Sequence, residues 1–411
     1  MMIRSRLPRL SVFAAGVTLA LAAAVPFAAA QEQASPAFGK LINSAKAEAS
    51  RGSFAAAQRD VSAASALATN SYEQFIVEQM RGYLAAQGQD YPAAISAFTA
   101  EINSGRLSPG DALSLTDAIA GYEFTLKNYS QASQWIDRYY HRGGTDPALK
   151  EVQIQAHYLS NDYATAIKLQ QNQINAEIKA GKTPSKDEFN LIYSCDLALK
   201  DTDGVMALLR EAVIYYPDQV WWTTLINNVI NADNFDTDRL EYDAGLLQVA
   251  TKAISSTDDY MTLIQTALQQ DHSGMAKKLF DQATTAGTLG SGTPADVNRQ
   301  QRLYALIKKT ISDDTAAEKS DLALANTDGD QAATLGYNLI DLGSADQGIA
   351  LLEKSLGMNL TMPNIVRLRL GEAYAEVGRT ADAINMFNTV QGDTGTAALA
   401  QLWIVHLKQK S

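Results

Sequence analysis

The fold of this chain is decided by residues 370–387, which read LGEAYAEVGRTADAINMF. Leu370, Gly371 and Tyr374 recur at steps of one, three and four, which places them on one face of a helix. Gly378 follows, and because glycine readily adopts φ > 0 it favours the end of a helix. The stretch therefore predicts a helix that stops at a glycine turn.

A second helix is predicted directly after this turn. Its inner face carries Ala383, Ile384 and Phe387, and the small residues Gly371 and Ala383 lie where two antiparallel helices would cross. This pattern resembles the tetratricopeptide repeat (TPR), a helical hairpin of about 34 residues. Arg367 departs from the pattern, because its position in the repeat is usually apolar.

The hairpin pattern recurs along the chain. Gly336 stands 35 residues before Gly371 and is likewise followed by a turn glycine, Gly343. In the N-terminal half an Asp or Asn precedes a Tyr and an Ala follows three residues later, at Asp90-Tyr91, Asn128-Tyr129 and Asp162-Tyr163. Self-similarity at such a period is typical of stacked repeats. Four alanines are predicted to be buried at helix crossings: Ala94, Ala132, Ala166 and Ala383.

The resemblance implies an all-α fold, a right-handed superhelical α-α solenoid of TPR-like helical hairpins. The predicted hairpins span 40–68, 72–104, 110–142, 147–178, 185–216, 218–253, 257–287, 294–327, 330–358 and 363–391. The corresponding segments are a signal peptide (1–30), a flexible mature N-terminus (31–39), an N-terminal TPR array (40–216), degenerate hairpins (217–293), a C-terminal TPR array (294–391) and a capping helix (395–409).

The first thirty residues have the pattern of a secretory signal peptide. Three arginines (Arg4, Arg6 and Arg9) precede an uncharged apolar run over residues 12–25, and small residues follow at positions 28–30. A membrane anchor is the alternative, although the run is short for a bilayer span of about 20 residues. We therefore expect a mature protein that begins near Gln31 and is periplasmic, without stable insertion in the membrane.

Charge and cysteine content narrow the classes of function. The formal net charge is −11, and no basic cluster offers a surface for nucleic acid, so no nucleic-acid partner is expected. The single cysteine, Cys195, cannot form an intramolecular disulfide. It lies in an apolar helical run, which favours a buried, inert thiol over a nucleophile.

No motif in the chain indicates catalysis. Residues 287–292 are rich in glycine but lack the Lys-Ser or Lys-Thr of a phosphate-binding loop, and no strand precedes them. The histidines are far apart, which disfavours a metal site. They are His141, His157, His272 and His406. We expect no catalytic residues, no metal and no cofactor, and hence not an enzyme.

The exposed side of each first helix is the predicted binding surface, because in such arrays the first helices line the concave face. Amide and aromatic side chains there suit an extended peptide, although an ordinary solvated surface is the alternative for each of them. The predicted protein- or peptide-binding residues are Gln79, Tyr83, Gln87, Asp117, Gln155, Tyr158, Asn190 and Trp222, with Phe124 and Glu151 beside them. Adjacent helical residues diverge by about 100°, so one of Trp221 and Trp222 is expected inside and the other at the surface.

The layout also resembles a narrower group, the periplasmic repeat proteins that accompany TonB–ExbB–ExbD energy-transducing systems. The resemblance lies in Tyr72-Glu73-Gln74, Gly82-Tyr83, Asp90-Tyr91, Gln155-Ala156-His157-Tyr158, Tyr216-Pro217, Trp221-Trp222 and Leu-Leu-Glu-Lys at 351–354. It implies a non-catalytic adaptor that binds a protein or an extended peptide segment, with a component of a TonB system as the suspected partner. Two rivals remain: a factor in cell-envelope assembly (polysaccharide export or outer-membrane biogenesis), and a wall-remodelling enzyme. An adaptor would bind without turnover, whereas an enzyme would need a pocket with clustered carboxylates.

Overall fold

The computed structural model describes residues 34–392 and 395–409, and all regular secondary structure there is α-helical. The predicted signal peptide lies outside these residues. Helices cover 77% of the described part, which confirms the expected all-α fold of TPR-like hairpins. The chain divides after Lys200 into two compact units, unit 1 before this point and unit 2 from Asp201 onward.

The described part of unit 1 holds nine helices, which pack mainly against their neighbours in chain order. They are α1 (Pro36–Ser50), α2 (Phe54–Leu67), α3 (Ser71–Gln87), α4 (Tyr91–Asn103), α5 (Pro109–Thr125), α6 (Tyr129–His141), α7 (Ala148–Leu159), α8 (Tyr163–Lys179) and α9 (Lys186–Leu199). The first eight form four hairpins, and α9 packs against α8. The predicted hairpins 40–68, 72–104, 110–142 and 147–178 match these four within a few residues.

The recurring Asp/Asn-Tyr pair marks the start of three second helices, α4, α6 and α8. Asp90 and Asp162 are N-caps whose side chains accept a hydrogen bond from the backbone N–H three residues on, and the tyrosine is the first helical residue. The residue before each N-cap has left-handed backbone, as at Asn161, where φ is 64°. This conformation reverses the chain within about three residues. The left-handed residue and the N-cap after it therefore set the point at which each hairpin turns.

Small residues lie where the helices of a hairpin cross, as predicted. Ala94, Ala132 and Ala166 are fully buried. A Cβ atom on Gly82 would stand 2.5 Å from Cδ1 of Phe98, so only glycine lets this ring close over α3. The close approach of helices in unit 1 thus depends on residues with little or no side chain.

The predicted flexible segment 31–39 is wrong over its last residues. Helix α1 begins at Pro36, and Phe38 is buried in a core with Ile42, Val61 and Val77. Pro36 occupies the first helical position, where its missing N–H costs nothing. A buried aromatic ring therefore ties this segment to the first hairpin.

The described part of unit 2 holds eleven helices. They are α10 (Thr202–Tyr215), α11 (Gln219–Ile230), α12 (Thr237–Ala250), α13 (Thr257–Gln269), α14 (Ser273–Thr285), α15 (Pro294–Leu324), α16 (Gly329–Asp341), α17 (Ala345–Ser355), α18 (Pro363–Glu376), α19 (Thr380–Phe387) and α20 (Thr396–Lys408). Three pairs form close hairpins, namely α13 with α14, α16 with α17 and α18 with α19.

Residues 370–387 fold as predicted. Gly378 has φ of 79° and ends the turn between α18 and α19. Ala383 and Phe387 are fully buried, and a Cβ on Gly371 would stand 2.5 Å from Cε1 of Phe387. Arg367, the departure from the repeat pattern, is half-buried and donates to Oδ1 of Asn364 on the same helix.

The predicted hairpin over 294–327 is wrong, because α15 is one helix of 31 residues. Its interior contains no glycine or proline that could interrupt the backbone hydrogen bonds. Thr293 and Asp296 form a capping box at its start. The buried side chains of α15 are Gln300, Leu303 and Ile307, all in its first half.

The predicted capping helix is α20, and its contacts extend further than a cap requires. It packs against α18 and α19 and also against α10, α11 and α12, the first helices of its own unit. The expectation that one of Trp221 and Trp222 is exposed is therefore wrong: both are buried, and α10, α12 and α20 all pack against α11.

Candidate functional site

Six of the eight predicted binding residues keep an accessible portion in unit 1. Gln79, Tyr83, Asp117, Tyr158 and Asn190 are half-buried, and Gln87 is exposed. They lie on α3, α5, α7 and α9, so four successive odd-numbered helices contribute to the set. We call these six residues the first-helix surface.

The remaining two predicted binding residues are not accessible. Gln155 is buried on α7, and its Nε2 lies 3.4 Å from Oε1 of the exposed Glu151. Trp222 belongs to unit 2, is 1% exposed, and packs edge-on against His406. Helical spacing alone predicts an accessible position for both residues, but it does not show what packs against that face from elsewhere in the chain.

The polar atoms of the first-helix surface are not used within the described part of the chain. Gln79, Gln87 and the hydroxyls of Tyr83 and Tyr158 make no hydrogen bond there. Oδ1 of Asn190 is buried and also lacks a donor. The unused amides of Gln79 and Gln87 and the hydroxyls of Tyr83 and Tyr158 are not buried, so they are open to the polar groups of a partner.

Aromatic pairs stand beside this surface at the turn ends of the hairpins. The pairs are Tyr91 with Tyr122, Phe124 with Tyr129 and Tyr158 with Tyr163, with ring centroids 4.8, 5.2 and 5.8 Å apart. All six rings are half-buried. The tyrosine of the Asp/Asn-Tyr signature therefore packs against an aromatic side chain of a first helix, and each pair leaves part of its rings accessible.

The charge on the first-helix surface is acidic. Burial, and then the nearby carboxylate of Asp146, raises the pKa of Asp117. Burial also raises the pKa of Tyr140 to about 12, with further contributions from Asp146, Tyr139 and Asp117. The Tyr140 hydroxyl donates to the carbonyl oxygen of Asp146 at 2.8 Å. Burial and the neighbouring carboxylate of Asp146 both disfavour the charged form of Asp117, and a cationic group beside Asp117 would favour that form.

Cys195 is buried, as predicted, and burial followed by the charge of Asp196 raises the pKa of its thiol to about 12. Within residues 34–392 and 395–409 there is no group of three or more His, Cys, Asp or Glu side chains arranged for a metal ion. The helices described there include none with the length and apolarity needed to cross a bilayer.

A buried polar cluster in unit 2 was not predicted. Arg369 on α18 donates from Nε and Nη2 to the two carboxylate oxygens of Asp243 on α12, at 2.9 and 3.2 Å. Nη2 also donates to Gln270 at 2.7 Å, and Nη1 lies 3.1 Å from Nε2 of His272. The rings of Tyr242 and Tyr337 flank the guanidinium, with centroids 5.2 and 6.0 Å from Cζ.

A second carboxyl group lies in the same cluster. Glu372, one helical turn after Arg369, contacts the Tyr337 hydroxyl at 2.9 Å and Nε1 of Trp403 at 3.0 Å. Burial, and then the charge of Asp243, raises the pKa of Glu372 well above its usual range. Burial likewise raises the pKa of Tyr337. The cluster thus holds one full ion pair, between Arg369 and Asp243, and a carboxyl group that favours its neutral form.

A cavity of about 280 Å³ opens onto this cluster. Arg369, His272 and Tyr337 line one part of it. Apolar side chains from α16, α17 and α18, together with Asp330 and Thr361, line the rest. One feature of the sequence indicates this cluster: Arg369 lies between Leu368 and Leu370, which are both fully buried. Its partners, however, lie more than 95 residues away in sequence, on α12 and in the turn between α13 and α14.

No protein-family model matches the chain, and the search of curated proteins found no match. Among solved structures, it is similar to the TPR2AB domain of yeast Sti1 in complex with an Hsp90 peptide, at 12% identity and a TM-score of 0.22, over 74% of this chain and all of that one. A similarity to Naa15/Naa10 bound to HypK covers 88% of this chain and 58% of that one, at 13% identity and a TM-score of 0.28.

A third similar structure is yeast Tom70, at 10% identity and a TM-score of 0.23, over 91% of this chain and 96% of that one. At these TM-scores the likeness does not extend to a superposition of whole chains, and nothing about function follows from it. The fold is defined by the helical hairpins themselves, whose turns and crossings have the TPR pattern.

Proposed function

We propose that this protein is a non-catalytic scaffold whose first-helix surface in unit 1 binds an extended segment of another protein. One observation carries the proposal: α3, α7 and α9 present amide or tyrosine side chains with polar atoms that have no partner within the described residues. Amides pair with the backbone of an extended chain, and rings cover its side chains. A surface of this kind needs no reacting group.

The chemistry of the partner follows from charge and from the aromatic pairs. The chain carries a formal charge of −11, and removal of the predicted signal peptide with its three arginines would make this −14. Asp117 and Glu151 add acidic groups at the surface itself. Accessible rings suit proline, whose extended conformation loses little entropy on binding. We therefore favour a segment rich in lysine and proline, whose association is faster at low salt.

The proposal also includes a periplasmic location and a partner from a TonB-type system. They are supported by the signal-peptide pattern of residues 1–30 and by the resemblance described above. The periplasmic linker of a TonB-like protein has the lysine- and proline-rich character that the surface favours. N-terminal sequencing of the protein from a periplasmic extract should give a chain that starts near Gln31; recovery only with the membrane fraction would contradict this location.

Truncating the tyrosines of the surface should weaken partner binding. The double variant Tyr83→Ala/Tyr158→Ala is expected to capture at least tenfold less partner than the wild type after crosslinking in a periplasmic extract. The reason is that it removes two large rings and two unused hydroxyls from the surface. Because Tyr83 also packs on the core of α1–α3, circular dichroism must show that the helical content is unchanged.

The matched control is Tyr304→Ala on α15, which removes a half-buried tyrosine outside unit 1. It should leave capture unchanged. If the double variant retains the partners of the wild type, the first-helix surface is not the binding surface. Turnover of a cell-wall substrate would instead favour the wall-remodelling alternative.

A further inference from the structure

The C-terminal ends of α16 and α18 bring two carboxyl groups together in unit 2. Asp341 is the last residue of α16, and Glu376 is the last residue of α18. The same two helices also meet one helical turn earlier, where the Tyr337 hydroxyl donates to Glu372 at 2.9 Å. The Asp341 side chain is 2% exposed, whereas that of Glu376 is 30% exposed. One carboxyl group is therefore inside unit 2, and the other reaches its surface.

Asp341 is buried by the backbone of α14. A Cβ atom on Gly274 would stand 2.6 Å from Cβ of Asp341, so only glycine lets α14 approach this closely. The Gly274 N–H donates to Oδ1 of Asn338 at 2.9 Å, which holds α14 against α16 at this point. Neither carboxylate oxygen of Asp341 receives a hydrogen bond within the described residues. Because a buried carboxylate without donors is unfavourable, this geometry favours a protonated carboxyl group.

Lys278 on α14 supplies the opposite charge. Its Nζ forms an ion pair with Glu376 and lies 3.9 Å from Oδ1 of Asp341, which is beyond hydrogen-bond distance. One ammonium balances one carboxylate, so the three groups are neutral together only if one carboxyl group keeps its proton. Because Lys278 pairs directly with Glu376, the proton belongs on the buried Asp341, where it can be donated in a hydrogen bond to Glu376.

The electrostatic surroundings agree with this assignment. Burial, and then the charge of Glu376, raises the pKa of Asp341 to about 8, and a hydrogen bond with the Glu376 carboxyl group contributes to the rise. The charge of Lys278 acts in the opposite direction. The titratable groups around Asp341 are Tyr242 on α12, Asp314 on α15, Tyr337 on α16 and Glu372 on α18, and the charged residues of α17, Asp346, Glu353 and Lys354, are exposed.

We propose that Asp341, Glu376 and Lys278 form a pH-sensitive latch between α14, α16 and α18. In the closed latch Asp341 carries a proton and donates a hydrogen bond to Glu376, whose charge Lys278 balances. Loss of this proton places two carboxylates beside one ammonium, and their repulsion loosens the end of α18 from α16. The latch is in unit 2 and does not involve the first-helix surface, so either assignment can fail without the other.

The latch makes the stability of the chain depend on pH. An unfolded aspartate has a pKa of about 4, so the folded chain binds one more proton than the unfolded chain between about pH 4 and about pH 8. The stabilisation is fully present below this window and is lost as the pH rises through it. Asp341→Asn removes this dependence, because the amide stays neutral and can donate to Glu376.

The urea midpoint of Asp341→Asn should therefore rise relative to that of the wild type between about pH 5 and about pH 8, and the difference should then stay level. The change of the difference with pH is the test, so a constant loss of packing in the variant does not affect it. Asp346→Asn, at an exposed position on α17, is the matched control and should show no such change. A difference between Asp341→Asn and the wild type that is independent of pH would overturn the proposal.

Carbon-13 NMR of the full chain, labelled at the aspartate carboxyl groups, measures the proton directly. One resonance should titrate near pH 8 and be absent from Asp341→Asn. If Asp341→Asn does not fold, Glu376→Gln tests the same contact at a side chain that is 30% exposed. Removing this neighbouring charge should weaken proton binding at Asp341 by about tenfold. The absence of any aspartate that titrates above about pH 6, or an unchanged titration in Glu376→Gln, would overturn the proposal.

Hydrogen exchange tests the loosening of α18. The backbone amides of residues 370–378 should exchange faster in the wild type than in Asp341→Asn once the latch is open. The ratio of the two rates should be at least about tenfold larger at about pH 9 than at about pH 6, because the comparison at one pH cancels the intrinsic effect of pH on exchange. A ratio that is the same at both pH values would overturn the opening of the latch.

Discussion

Replacing Arg369 with methionine is expected to lower the free energy of unfolding by about 3–5 kcal/mol, the typical cost of removing one partner of a buried ion pair. Asp243 is fully buried and would lose both hydrogen bonds from the guanidinium. A buried carboxylate without a partner must either stay charged in an apolar setting or take up a proton. The urea midpoint and the m-value, followed by circular dichroism, measure the effect.

Two further variants distinguish an ion pair from a loss of packing. The double variant Arg369→Met/Asp243→Leu should recover much of the lost stability, because neither charge is left unpaired. Arg379→Met breaks only the ion pair with Asp382 on the surface, and should cost less than about 1 kcal/mol. A loss for Arg369→Met no larger than that for Arg379→Met would show that the polar cluster does not hold unit 2 together.

The second large effect is expected where α16 crosses α17. A Cβ on Gly336 would stand 2.7 Å from the carbonyl oxygen of Gly348 and 3.0 Å from Cβ of Leu351. Backbone atoms cannot rotate away as a flexible side chain can, so Gly336→Ala should force the helices apart. Overpacking costs about 1–3 kcal/mol. We expect a net loss near 2 kcal/mol, even though alanine is the better helix former by about 1 kcal/mol.

Gly121 provides the matched control for this substitution. It lies inside α5, and a Cβ there would meet no atom within 4 Å. Gly121→Ala should therefore be neutral or stabilising by up to about 1 kcal/mol. Equal effects of the two substitutions in urea unfolding would mean that the α16–α17 crossing is not as close as described.

The hairpins could be predicted from sequence because their determinants are local. The Asp/Asn-Tyr starts, the turn at Gly378 and the small residues at crossings all lie within one repeat of about 34 residues. The prediction that 294–327 forms two helices is wrong for a related reason. The period of the array suggested a turn there, but the interior of α15 contains no residue that ends a helix.

The site could be predicted only in part, because burial depends on contacts that are distant in sequence. Periodicity correctly placed Tyr83, Tyr158 and Asn190 on accessible faces, but it missed that Gln155 and Trp222 are covered. Trp222 is buried by α20, which returns from the end of unit 2. The Arg369–Asp243 pair joins residues 126 positions apart, so no local pattern could reveal it.

The central claim, that the first-helix surface binds an extended cationic segment, is tested most directly by photo-crosslinking. A benzoylphenylalanine at Gln87, an exposed position on α3, should form an adduct with a synthetic peptide of alternating lysine and proline. The yield of this adduct should fall at high salt. No adduct should form with a glutamate–proline peptide of the same length. The same photoreactive residue at the exposed Gln301 on α15 should give no adduct. No adduct at Gln87, or equal yields at Gln87 and Gln301, would contradict the claim.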